Sequence, residues 1–82
     1  MNVLIKRRNV MIEVDVRGYS DHIPIVRTQK AIKENPNKVL IVLADTGVTR
    51  ENVSHLAQGK GYTVKVEHTC DEFHIQLIPP KI

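Results

Sequence analysis

The chain has 82 residues, of which 41% are hydrophobic and 26% charged, and a formal net charge of +3. That is room for one small domain with one core. No apolar run approaches the roughly 20 residues that cross a membrane. A single cysteine, Cys70, allows no internal disulfide and suits a reducing, cytoplasmic setting. The mildly basic balance permits contact with RNA or an acidic protein surface. Strong nucleic-acid binding is not indicated, because only Lys6-Arg7-Arg8 clusters and no aromatics interleave with it.

Residues 1 to 10 read in two ways. Val3-Leu4-Ile5 forms either a short edge strand, with Arg7-Arg8-Asn9 as its turn, or part of a frayed N-terminal extension ahead of a domain at 11 to 82. Residues 1 to 12 are too short and too interrupted by charge for a secretory signal. Ile12, Val14 and Val16 alternate with Glu13, Asp15 and Arg17, the pattern of a strand with one buried face, and Gly18 ends it. A helix is expected over about 22 to 35, with Ile25, Thr28 and Ile32 inward and Arg27, Lys30 and Glu34 outward. Asn35-Pro36-Asn37 stops it, since the residue before a proline disfavours helical backbone.

The run Val39-Leu40-Ile41-Val42-Leu43 reads as a central strand covered on both faces. After the turn Asp45-Thr46-Gly47, a second helix is expected with Thr49 as its N-cap. Val48 and Val53 have the spacing of a hydrophobic staple, and Gly59 or Gly61 takes the left-handed position at the end. Tyr62 to Glu67 and Phe73 to Leu77 alternate as two strands of an antiparallel hairpin turning at 68 to 71. Pro79-Pro80 ends the sheet.

The order β-α-β-α-β-β, with right-handed crossovers, gives an α/β (α+β) two-layer sandwich with both helices on one face of a four-stranded mixed sheet. Strands one to three run the same way. The loops at 18 to 23, 45 to 48 and 68 to 71 therefore gather at one end, where sites in such folds lie.

Residues 15 to 32 carry the strongest motif. Asp15, Arg17, Gly18, Pro24, Thr28, Lys30 and Ala31 match, without gaps, the pattern Asp-x-Arg-Gly-Leu-x-Cys-Pro-x-Pro-Val-Leu-x-Thr-Lys-Lys-Ala-Leu. This resembles the signature of the TusA/SirA/YedF family of small sulfur carriers, and the likeness extends over about residues 11 to 78. The resemblance implies the same element order, with the last strand antiparallel to the other three. It also implies a sulfur-trafficking context, with a cysteine desulfurase or a tRNA-modifying enzyme as partner and tRNA thiolation or sulfur and selenium metabolism as the destination. It implies no cofactor.

The chain departs from that pattern at two positions. Asp21 stands where the family carries its persulfide-bearing cysteine, and His22 where the next proline stands. A helix N-terminus stabilises an anion, thiolate or carboxylate. A carboxylate, however, cannot hold a sulfane sulfur, so no family-type sulfur transfer is expected at residue 21. Asp21 is expected to cap the helix by accepting from the Ile23 N–H. Arg17, Gly18, Asp21, His22 and Pro24 then form a partner-binding loop.

Cys70 is the only other place for sulfur. It is read either as an incidental surface thiol or as a relocated carrier, with His68 raising its thiolate fraction and Asp71 and Glu72 opposing this. His22, His68 and Cys70 are possible zinc ligands by type, with Asp21 or Asp45, but no ligand spacing supports a metal site. His55 and His74 read as solvated. No phosphate loop, nucleophile elbow or convincingly placed carboxylate pair is present.

The leading expectation is a non-catalytic binding or regulatory module of TusA/SirA type. A carrier using Cys70 is the first alternative. An RNA-binding module resting on Lys6-Arg7-Arg8, Arg17 and Arg27 is the second.

Overall fold

The computed structural model describes residues 12–80. The reading of residues 1 to 10 as edge strand or extension lies outside them. In chain order the elements are β1 (Ile12–Asp15), α1 (Ile23–Glu34), β2 (Leu40–Ala44), α2 (Gly47–Gly59), β3 (Thr63–Thr69) and β4 (Glu72–Ile78). The sheet order is β1-β2-β4-β3. β1 and β2 are parallel, and β4 is antiparallel to both of its neighbours. The expected mixed four-stranded sheet is therefore present, with β4 inserted between β2 and β3.

The register explains the core. Val14 pairs with Val42, Val42 with Ile75, and Leu40 with Leu77. Because strand side chains alternate, these residues line one face of the sheet. That face meets Val53 and Ala57 of α2, with Ile25, Ala31 and Ile32 of α1 packed against the same cluster. The core is almost wholly aliphatic, with Tyr62 its one buried aromatic.

Both helices start differently from expectation. α2 begins at Gly47 and is capped by Thr46, not Thr49. Thr46 has extended backbone (φ −136°, ψ 155°), and its Oγ1 accepts the Thr49 N–H at 3.1 Å. Thr49 is itself buried in the first turn. The expected Val48–Val53 staple is absent: Val48 is 69% exposed while Val53 is fully buried. A cap three residues earlier moves Val48 inside the helix, where its position faces solvent.

Asp21 does not cap α1. His22 occupies the cap position without a side-chain hydrogen bond, and the Ile23 N–H donates to the Ser20 carbonyl at 3.3 Å. Asp21 sits one residue earlier, in the left-handed region at φ 59°. Pro24 has no N–H to offer, so one donor that a cap would satisfy is missing.

The far end of α2 closes as the sequence suggests. The Gly61 N–H donates to Gln58 O and the Tyr62 N–H to Ala57 O, each at 3.0 Å. This double closure needs a left-handed residue, and Gly61 supplies it at φ 87°.

Candidate functional site

Three segments meet where β1 and β2 end and β4 begins. The Val16 N–H donates to Leu43 O at 3.0 Å, which carries β1–β2 pairing one step past the strands. The Gly18 N–H donates to Asp45 Oδ2 at 3.0 Å, tying the loop before α1 to the loop before α2. Arg17 Nη1 donates to Glu72 Oε2 at 2.8 Å and reaches the hairpin between β3 and β4. The expected gathering of the three loops at one end is thus held by specific hydrogen bonds.

Arg17 is the hub. Its Nε and Nη2 donate to the two carboxylate oxygens of Asp15 at 2.9 and 2.8 Å, and its backbone N–H donates to Asp15 Oδ1 at 3.0 Å. Asp15 and Glu72 are therefore engaged by the one guanidinium at once. The Arg17 side chain, and then its backbone N–H, hold the Asp15 carboxyl down at about 2. Glu72 also lies below the usual carboxylate range, first through the His74 Nε2 contact at 3.1 Å and then through Arg17. The same bonds, Asp15 first, push the Arg17 guanidinium further up. His74, expected to be solvated, is instead half-buried and joined to this chain of charges.

Asp21 and His22 are exposed on the loop before α1, and Pro24 is buried beneath it. Neither Asp21 nor His22 has a side-chain hydrogen bond or ion pair among the described residues. Gly18 allows the chain to leave β1 in the left-handed region, at φ 84°. Tyr19 and Arg27 brace the loop, with the guanidinium carbon 4.4 Å from the ring centroid and Arg27 Nη2 donating to the Tyr19 hydroxyl at 2.9 Å.

Cys70 is exposed at the first position of the two-residue loop joining β3 and β4, with φ 35°. Both favoured two-residue hairpin loops require a positive φ there. His68, expected to act on this thiol, is engaged with another side chain. Its ring stacks on Phe73 at 4.3 Å between centroids, and Arg50 lies 5.2 Å from the same Phe73 ring centroid.

Among the described residues no group of three or more His, Cys, Asp or Glu is placed to hold a metal ion. His22, His68 and Cys70 thus do not assemble into a metal site. A groove of about 450 Å³ runs beside β1 and α1, lined by Glu13, Asp15, Arg27, Lys30 and Glu34, but it includes neither Asp21 nor Cys70. The site is a surface of loops, not a cleft. Arg17 is occupied by carboxylates and Arg27 by Tyr19, while Lys6-Arg7-Arg8 lies outside the described residues. Two of the basic positions considered for RNA are therefore already engaged. The cross-sheet bridge from Arg17 to Glu72 and the stack on Phe73 were not foreseen, because both depend on strand register.

Residues 12–78 match the sulfurtransferase TusA family model. The chain belongs to this family. It is 36% identical over 69 residues to a "putative sulfur carrier protein" of Methanocaldococcus jannaschii, covering 82% of this chain and 92% of that one. Its fold is similar to the crystal structure of a SirA-like protein from Desulfitobacterium hafniense. The TM-score is 0.77 at 28% identity, over 87% of this chain and all of the other. In this TusA-family chain no described helix is long and apolar enough to cross a membrane.

Proposed function

We propose that this TusA-family domain is a non-catalytic binding or regulatory module in a sulfur-trafficking system, and that a partner reads the loop carrying Asp21. One observation carries the proposal: Asp21 is exposed and unpaired on a loop that Gly18, Asp45, Tyr19 and Arg27 hold in place. The signature places a thiol at this residue, and a carboxylate accepts no sulfane sulfur. The presenting scaffold is thereby kept without its nucleophile.

The partners that fit this context are a cysteine desulfurase or a tRNA-modifying enzyme. The test is affinity purification of the intact protein from its own cells, beside an Asp21→Ala version. Desulfurase or tRNA-modifying enzymes should be recovered with the parent and depleted with the variant. If the parent recovers neither class, the sulfur context is wrong.

A second reading has its own support, the exposure of Cys70 at a hairpin tip. In it the Cys70 thiolate attacks the terminal sulfur of a donor's cysteine persulfide. A new S–S bond forms at Cys70, the donor's S–S bond breaks, and the donor cysteine leaves as thiolate. Mass spectrometry after incubation with a cysteine desulfurase decides between the readings. An added sulfur atom on Cys70 supports the carrier and overturns the non-catalytic reading. An unmodified Cys70 removes the carrier.

A further inference from the structure

Among the described residues the sheet ends on β3, which pairs on one side only, with β4. It is seven residues long, against four for β1 at the other edge. Lys65, Val66, Glu67 and His68 are all exposed, and Val66, at 42%, is among the few large hydrophobic side chains left open.

The hairpin fixes which backbone groups are free. Thr69 and Glu72 close a two-residue loop, so that pair exchanges both of its hydrogen bonds. By alternation Thr63, Lys65 and Glu67 also turn their N–H and C=O groups toward β4. Val64, Val66 and His68 turn theirs outward. An edge of this length usually carries charges that discourage pairing. Here the charges are ordered Lys65-Val66-Glu67, and that order is complementary to itself when reversed.

We propose that β3 pairs antiparallel with β3 of a second copy of this chain, across a twofold axis at Val66. Val66 then meets Val66 of the second copy in a hydrogen-bonded pair, and Val64 meets His68. Lys65 lies opposite Glu67 of the second copy, and Glu67 opposite its Lys65. Both fall at non-hydrogen-bonded positions, where opposing side chains come closest. The outward groups of Val64, Val66 and His68 all find partners, and two sheets become one of eight strands.

Other twofold registers fail. An axis at Lys65 sets lysine against lysine, and one at Glu67 sets glutamate against glutamate. Axes at Val64 or His68 shorten the overlap. The opposite edge offers a contrast within the same molecule. On β1 the outward-turned residues are Glu13 and Asp15, so a twofold axis at Glu13, Val14 or Asp15 opposes acid to acid. One edge repels its own copy and the other attracts it.

Sedimentation velocity across a concentration series tests this. The intact protein should pass from monomer to dimer as concentration rises. Lys65→Glu and Glu67→Lys should each weaken dimerisation by about tenfold or more, since each puts two like-charge pairs in place of two attractive ones. Mixing the two single variants should restore a dimer containing one of each. The double variant, with both charges exchanged, should dimerise by itself. Circular dichroism confirms that each variant is folded, which substitution at these exposed positions should not disturb. A parent protein that stays monomeric overturns the proposal. So do single variants that dimerise as the parent does, or a mixture that gains nothing over its components.

Discussion

Two residues at the loop end adopt backbone that L-amino acids usually avoid. Asp21 at φ 59° precedes α1, and Cys70 at φ 35° opens the β3–β4 loop. Left-handed backbone costs about 1–2 kcal/mol for an ordinary side chain, and less for Asp or Asn. Asp21 is thus placed by the shape of the loop and not by a capping bond. Asp21→Ala should lower stability by about 0.5–1 kcal/mol, while Asp21→Gly should not. Cys70→Gly should raise stability by about 0.5 kcal/mol, after allowance for the greater freedom of glycine in the unfolded chain. Urea unfolding midpoints read all three. If Asp21→Ala and Asp21→Gly are equally harmful, the side chain has a bonding role that the geometry does not contain.

At the level of elements, most of the fold is legible in the chain because the hydrophobic patterns are unmixed. Ile12-x-Val14-x-Val16 alternates, 39 to 43 is continuous, and Asn35-Pro36-Asn37 breaks cleanly. Helix starts are harder to read, for a definite reason. Thr46 and Thr49 both suit a cap and are three apart, the spacing at which one caps the other. Thr46→Ala should therefore cost about 1 kcal/mol, whereas Val48→Ala should change stability by less than about 0.5 kcal/mol because Val48 is exposed. Equal losses from both would return the cap to Thr49. Thr28 is also instructive. Its inward placement follows from periodicity, but its hydroxyl is buried without a partner among the described residues. Thr28→Val keeps the shape and removes that unpaired group, so it should raise the thermal midpoint, by about 1 kcal/mol in stability.

Across the whole molecule, sequence order shows which loops share an end but not what joins them. Arg17 and Glu72 are 55 positions apart. Their contact exists because β4 inserts beside β2, an arrangement no alternation pattern reveals. Once formed, the bridge links the end of β1 to the hairpin that carries Cys70, so the protonation of a few carboxylates should govern how firmly that end is held. The sign is set by the folded state. Asp15 titrates at about 2 and Glu72 lies below its ordinary range, while unfolded carboxyls titrate near about 4. A carboxylate lowered on folding contributes its stability above the unfolded value and loses it as pH falls through the folded one. The contribution should thus be complete above about pH 4 and fade toward about pH 2. Arg17→Gln removes the guanidinium shared by both acids. The Asp15 carboxyl, followed by NMR, should return to the usual range, and Glu72 should move only part of the way because His74 remains. Amide exchange in residues 69 to 72 should also quicken in the variant at neutral pH. Unchanged exchange there would mean that the hairpin is held by its strand pairing alone and that Arg17 does not couple the two loops.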